Sequence, residues 1–165
     1  MPHCQVADLG PVASLTNLAF LELSGATIDD LSPLAGLVNL TSLELTDVQT
    51  DEWSPLAHLE NLGRLSLVDA PIGDIAPLGG LSNLHELNLI NAGVSDISPL
   101  ASHTQLIFLC LADNDISDVS PLGRMTMLNW LNVAGNRIED FTPLIELAAN
   151  HEGPFWQLTE SCKKT

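Results

Sequence analysis

Leu18, Leu40, Leu62, Leu84, Leu106 and Leu128 stand 22 residues apart. A fixed period of this length means stacked copies of one short unit, each too small to bury its own apolar face. The register never slips. Three places after each of these leucines come Leu21, Leu43, Leu65, Leu87, Leu109 and Leu131, and two places further come Leu23, Leu45, Leu67, Leu89, Leu111 and Val133. Every unit reads LxxLxL. Pro11, Pro33, Pro55, Pro77, Pro99, Pro121 and Pro143 keep the same period, so seven of the ten prolines obey it, each followed by an apolar residue.

The LxL core predicts a short strand whose leucines point inward and whose intervening residues point outward. With one strand per unit and every unit alike, the strands run parallel and the chain returns between them through segments such as Asp96-Ile-Ser-Pro-Leu100. Pro suits the first position of a helical turn, where its missing N–H has no partner in any case, and a Ser or Thr before it is placed to cap that turn. A coil this short leaves no room for a long helix, so single 3₁₀ turns are expected on the outer face. Residues 18–149 hold six such units, 1–17 a partial first coil carrying Val6, Asp8, Pro11 and Val12, and 150–165 a tail or cap whose Phe155, Trp156 and Leu158 are expected to fold over the last coil.

The stretch Leu106-Ile-Phe-Leu-Cys-Leu-Ala-Asp-Asn-Asp-Ile-Ser-Asp-Val-Ser-Pro-Leu122 resembles the leucine-rich repeat, specifically the 22-residue internalin-like bacterial type with its D-I-S-P-L turn. The resemblance covers nearly the whole chain. The fold it implies is an α/β-type leucine-rich-repeat solenoid, with a curved parallel β-sheet on the concave face and short 3₁₀ turns on the convex face. It also implies protein binding through that concave face. The family's Asn three places after the last strand leucine is matched only by Asn114 and Asn136, with Ala26, Val48, Ala70 and Ala92 in its place, so an Asn ladder is expected only at the C-terminal end. Thr50, Trp53, His103 and Met125 break their columns, which predicts local irregularity in the second and fifth coils.

Composition narrows the partners. Five Lys and Arg against 21 Asp and Glu give a net charge of −16, which argues against nucleic acid, whose phosphates are held by Lys and Arg. The longest apolar run, Leu106 to Ala112, falls far short of the roughly 20 residues that span a bilayer, so no membrane insertion is expected. No secretory leader is visible at Met1-Pro-His-Cys. The literal expectation is a cytoplasmic chain, and a secreted or cell-surface one if it is a piece of something longer. Cys4, Cys110 and Cys162 are odd in number and widely spaced, so no disulfide framework is read from them.

No P-loop, GxGxxG, GxSxG or HExxH motif occurs, and no Cys/His pair is apparent, so no catalytic residue and no cofactor is assigned. Asp8, Asp30, Glu52, Asp74, Asp96, Asp118 and Asp140 recur at the repeat period. A column of carboxylates is able to gather cations, but each is also placed to cap its own turn, and the capping role is preferred; no metal site is assigned. Asp113 to Asp118 lacks the Gly and Glu of a calcium loop. The histidines read as scattered surface or edge residues, Cys110 as an inert outward thiol, and the sequon Asn39-Leu-Thr41 as a by-product of the repeat.

The outward strand positions carry the functional expectation. Down the stack, one column reads Phe20, Ser42, Arg64, Glu86, Phe108, Trp130 and the next Glu22, Glu44, Ser66, Asn88, Cys110, Asn132. Phe108 and Trp130 are neighbours, with Ile90 and Ile107 nearby, and large aromatics left facing water mark interaction sites. Phe20, Arg64, Glu86, Ile90, Phe108 and Trp130 are therefore the expected protein-binding residues. A sheet of this size offers roughly 400 Å², about half of what one partner contributes to a standard interface. Binding would recruit the loop edge carrying Asp47, Asp69, Asn91 and Asp113, which favours a basic partner. The chain is expected to be a non-enzymatic interaction module; the alternative is a structural or regulatory segment of a larger assembly, with end-to-end self-association through an uncovered first coil.

Overall fold

The computed structural model describes residues 8–149; Val6, Phe155, Trp156 and Leu158 lie outside the described residues. Six strands, β1 (Phe20–Thr27), β2 (Ser42–Gln49), β3 (Arg64–Val68), β4 (Glu86–Ile90), β5 (Phe108–Cys110) and β6 (Trp130–Asn132), succeed one another along the chain. They lie side by side in that order in one parallel sheet. Each residue pairs with the one a full repeat away: Phe20 with Ser42, Arg64 with Glu86, Phe108 with Trp130.

The leucines impose this register, because a slip of one residue would turn all of them to the other face. Leu43, Leu45, Leu65, Leu67, Leu87, Leu89 and Leu109 are fully buried, each worth about 1.5–3 kcal/mol relative to exposure. Leu18, Leu21 and Leu23 of the first coil are only partly buried, since no earlier strand among the described residues packs on them.

Six 3₁₀ turns on the opposite side return the chain: Gly10–Ser14, Ser32–Gly36, Ser54–His58, Ala76–Leu78, Ser98–Ser102 and Ser120–Arg124. Their caps differ from the expected Ser or Thr hydroxyl. The residue before each turn makes no side-chain capping bond, and the acidic column does the work instead. Asp8, Asp30, Glu52, Asp74, Asp96, Asp118 and Asp140 each accept the backbone N–H two residues on, at 2.7–2.9 Å. The serines are donors: the hydroxyls of Ser32, Ser98 and Ser120 bond the second oxygen of the same carboxylate. These bonds hold the Asp30, Glu52, Asp118 and Asp140 carboxyls below their ordinary titration range.

The last return is not a 3₁₀ turn. Thr142–Ala149 forms an α-helix, α1, with Leu144 and Leu147 buried against the Ser120–Arg124 turn. No strand follows it among the described residues to pull the backbone back. The run Leu144-Ile-Glu-Leu-Ala-Ala149, rich in good helix formers, then continues the turn started at Pro143.

Strand length differs between the two ends of the stack, where the residue at the Asn position differs, with five-residue strands at β3 and β4 between them. In the first two coils, where Ala26 and Val48 replace Asn, the backbones pair directly and the strands run for eight residues, with Ala26 opposite Val48 and Thr27 opposite Gln49. In the last two coils the strands have three residues and Asn side chains take over. Asn114 accepts the Ala92 and Val94 N–H groups and donates to the Leu89, Leu111 and Ala112 carbonyls, at 2.6–3.1 Å. Asn136 repeats this one coil later, accepting from Ile116 and donating to Leu111, Val133 and Ala134. A second ladder serves the early coils: Asn39, Asn61 and Asn83 donate to the carbonyls of Thr16, Val38 and Glu60 at 2.7–2.8 Å. The Asn39 amide of the sequon is thereby engaged, and the Thr41 hydroxyl bonds the Ala19 carbonyl.

The expected irregularity of coils two and five is absent at Trp53, His103 and Met125. Trp53 has φ −103°, ψ −5° against −89°, −1° for Leu31 one repeat earlier. His103 and Met125 share the backbone of Leu37, with φ near −82° and ψ 56–64°. All three are buried, so His103 is a core residue, not a surface one. Its Nε2 lies 3.1 Å from the Leu78 carbonyl, which accepts, so Nε2 carries the proton; Nδ1 is buried without a partner. Burial lowers its pKa from the ordinary 6.5, more than the backbone carbonyls around it raise it.

Candidate functional site

Strand alternation brings Phe20, Arg64, Glu86, Phe108 and Trp130 to one face of the sheet in a single row, with Ile90 at the end of β4. Phe108 and Trp130 stack with their ring centroids 4.1 Å apart and their planes 3° from parallel. Both are half-buried. Adjacent strands hold the two Cα atoms about 4.8 Å apart, a spacing that suits two flat rings lying one on the other. Ile107, 43% exposed, borders them.

Arg64 occupies the middle of the row and bridges two carboxylates, Glu44 at 3.1 Å and Glu86 at 3.4 Å. Glu86 is its neighbour in the row, and Glu44 on β2 comes from the adjoining column. At side-chain exposures of 43%, 13% and 42% such pairs contribute little to stability, but they fix the guanidinium in place. Phe20 stands apart from the aromatic pair, three strands away from Glu86 at the other end of the sheet and 51% exposed.

The second column contains residues that sequence reading left without a role. Asn88 donates to the Ser66 hydroxyl at 3.2 Å, while its Oδ1 is buried with no hydrogen-bond partner. Ser66 and Asn132 are buried although alternation points them away from the core. Cys110, expected to be an inert surface thiol, is fully buried and disulfide-bonded. Its partner cysteine lies outside the described residues. Spacing gave no sign of this bond, because it joins positions far apart in a chain with an odd cysteine count.

The loop edge has a backbone cause. Gly25, Asp47, Asp69, Asn91, Asp113 and Gly135 occupy one repeat position, and all have φ between 48° and 70°, the left-handed region that Gly, Asn and Asp tolerate best. At Gly135 a Cβ would also run into Asp113. The acidic side chains that result are exposed, and Asn91 donates to Asp69 at 2.8 Å. Among the described residues no group of three His, Cys, Asp or Glu could hold a metal, and no helix is long and apolar enough to cross a membrane.

Comparison with known proteins supplies the relationship. No protein-family model matches the chain, and no curated protein does. Among solved structures, the internalin InlF from Listeria monocytogenes superposes with a TM-score of 0.84 at 38% identity, covering 89% of this chain and 44% of that one. The present chain thus spans less than half of that protein's length. Internalin C2, InlC2, from the same species superposes with a TM-score of 0.79 at 32% identity, covering 88% of this chain and 74% of that one. The leucine-rich-repeat ectodomain of the plant membrane receptor kinase GASSHO1/SCHENGEN3 from Arabidopsis thaliana, in complex with CASPARIAN STRIP INTEGRITY FACTOR 2, gives a TM-score of 0.65 at 25% identity over 76% of this chain and 16% of that one. In repeat period, parallel sheet and identity across most of InlC2, this chain belongs to the internalin family of leucine-rich-repeat proteins.

Proposed function

We propose that the chain is a non-enzymatic module that binds a protein partner through its concave sheet, with Phe108 and Trp130 as the anchor and the Arg64–Glu44–Glu86 group setting specificity. The Phe108–Trp130 stack carries this reading. It gathers two large aromatic surfaces beside the mainly polar side chains of the central strands, Arg64, Glu86, Glu44, Ser66 and Asn88, and aromatic anchors of this kind dominate binding energy where they become fully desolvated. Ile90 extends the apolar area toward the loop edge and Ile107 borders it on the opposite side, and Phe20 offers a separate contact at the N-terminal end. The exposed Asp47, Asp69 and Asp113, on a chain of net charge −16, steer a basic surface toward this edge.

The compartment that fits is an oxidising one, secreted or at a cell surface, because disulfides such as that of Cys110 are rare in the reducing cytosol. The Arabidopsis neighbour, a repeat ectodomain in complex with CASPARIAN STRIP INTEGRITY FACTOR 2, supports a binding role for the repeat.

The test compares capture of binding proteins by the wild-type chain and by a Phe108→Asp, Trp130→Asp variant, each both oxidised and reduced so that the state of Cys110 does not decide the outcome. A partner recovered at least tenfold less by the variant supports the concave face. Equal recovery by a variant whose circular dichroism is unchanged assigns binding elsewhere.

A further inference from the structure

We infer that the concave face takes an arginine side chain of its partner, whose guanidinium lies on the Phe108 ring and pairs with the Glu86 carboxylate. This inference rests on the concave-face reading and names the chemistry that the face selects. In its row Phe108 is flanked by Glu86 on β4 and Trp130 on β6. Trp130 covers one face of the Phe108 ring, with the centroids 4.1 Å apart and the planes 3° from parallel. The other face turns toward β4. A third flat group continuing the stack on that side would lie over Glu86, because neighbouring strands are about 4.8 Å apart. A ring face is the negative side of the aromatic quadrupole and attracts a cation.

The charges of the face leave the same place for a cation. Glu44, Arg64 and Glu86 alternate in sign, and Arg64 sits nearer Glu44, at 3.1 Å, than Glu86, at 3.4 Å. The second contact is longer than the about 2.7–2.9 Å of a strong charge-assisted bond, and the Glu86 side chain stays 42% exposed, so its carboxylate has room for a second cation beside Phe108. Among the described residues, the outward strand positions carry Glu22, Glu44 and Glu86 against Arg64 alone, three negative charges and one positive, a net of −2. The exposed Asp69 and Asp113 of the loop edge add to it. Arginine suits this place better than lysine. Its guanidinium is planar, stacks on aromatic rings, is more weakly hydrated than an ammonium and presents a fork of N–H donors to a carboxylate. Ile107, 43% exposed and next to Phe108, offers apolar surface to the methylene stem.

The test uses small probes on the oxidised full chain and no protein partner, so it fails or succeeds separately from the capture comparison, which judges the concave face itself. Acetyl-glycyl-arginyl-glycine amide is titrated into the isotope-labelled chain, and the Trp130 indole N–H is followed by NMR, its signal identified with Trp130→Phe. The buried Trp53 supplies the reference signal. Saturable movement of the Trp130 signal is expected, with Trp53 still. Binding is expected to be at least fivefold weaker for the citrulline peptide, which keeps the shape of arginine without its charge, and for the lysine peptide, which keeps the charge without the plane. Glu86→Gln is expected to weaken the arginine peptide at least fivefold, and Glu139→Gln, which removes the same charge from the exposed segment between β6 and α1, less than twofold. An unmoved Trp130, or a citrulline or lysine peptide that binds as tightly as the arginine one, overturns the inference. Equal losses in Glu86→Gln and Glu139→Gln also overturn it, since net charge and not the site would then hold the peptide. The peptide comparison uses the wild-type chain and stands even if Glu86→Gln folds poorly.

Discussion

Single residues carry unequal weight in this repeat, and the two asparagine ladders show why. Asn114 satisfies two N–H groups and three carbonyls in the buried turn after β5, and stranding such groups costs about 1–3 kcal/mol each. Asn114→Ala is expected to lower stability by at least about 3 kcal/mol, read as a fall in the urea midpoint. Asn61→Ala, which removes one exposed bond, should stay below about 1.5 kcal/mol. The first ladder was legible in the sequence through the family's Asn position; the second was visible only as the Asn-Leu that the repeat supplies at 39, 61 and 83, because its carbonyl partners belong to the previous coil. His103 was misplaced for a related reason. Its column is otherwise Leu37, Leu59, Leu81 and Met125, and the column, not the residue type, decides burial. The native state disfavours the charged imidazole, so it binds fewer protons than the unfolded chain just below pH 6.5, and stability is present above that pH and lost as pH falls. His103→Leu is expected to gain on the wild type as pH drops from 7 to 5, by no more than about 1.4 kcal/mol per pH unit. Parallel urea melts showing the same gap at both pH values would contradict it.

At the scale of elements, the repeat holds because each strand and each turn is secured by its own local device. The carboxylate that precedes every turn is one: Asp96→Ala, which frees the Ser98 N–H, is expected to lower the thermal midpoint through a loss of about 1 kcal/mol, and Asp96→Asn should recover most of it. Leu109→Ala removes a fully buried side chain from β5 and is expected to cost about 2–5 kcal/mol in chemical unfolding. Strands, register and outward columns were readable because a period of two within a period of 22 leaves one consistent arrangement. Three things were not. The loop edge was read for its charge, although the Gly, Asp and Asn composition of that position reports the left-handed backbone. The strands are eight residues long at the N-terminal end and three at the C-terminal end, where Asn114 and Asn136 complete the hydrogen bonding in place of the backbone. The helix at Thr142–Ala149 forms because the repeat stops there, which a repeat pattern does not announce.

The whole molecule is a stack whose surfaces differ: turns capped by carboxylates on one side, an acidic loop edge, and a sheet with an aromatic pair near its C-terminal end. The charge imbalance predicts that the association rate with a basic partner falls as salt rises from 50 to 500 mM, while the dissociation rate changes less, since steering acts on encounter. Surface plasmon resonance separates the two rates, and salt-independent association would remove the acidic edge from the account. The central claim is narrower and concerns the stack itself. It is tested most directly by immobilising the chain, with and without Phe108→Asp and Trp130→Asp, exposing both to the same protein mixture and quantifying bound proteins by mass spectrometry. The account predicts a defined partner depleted at least tenfold by the two aspartates. The same proteins in the same amounts on both surfaces would contradict it.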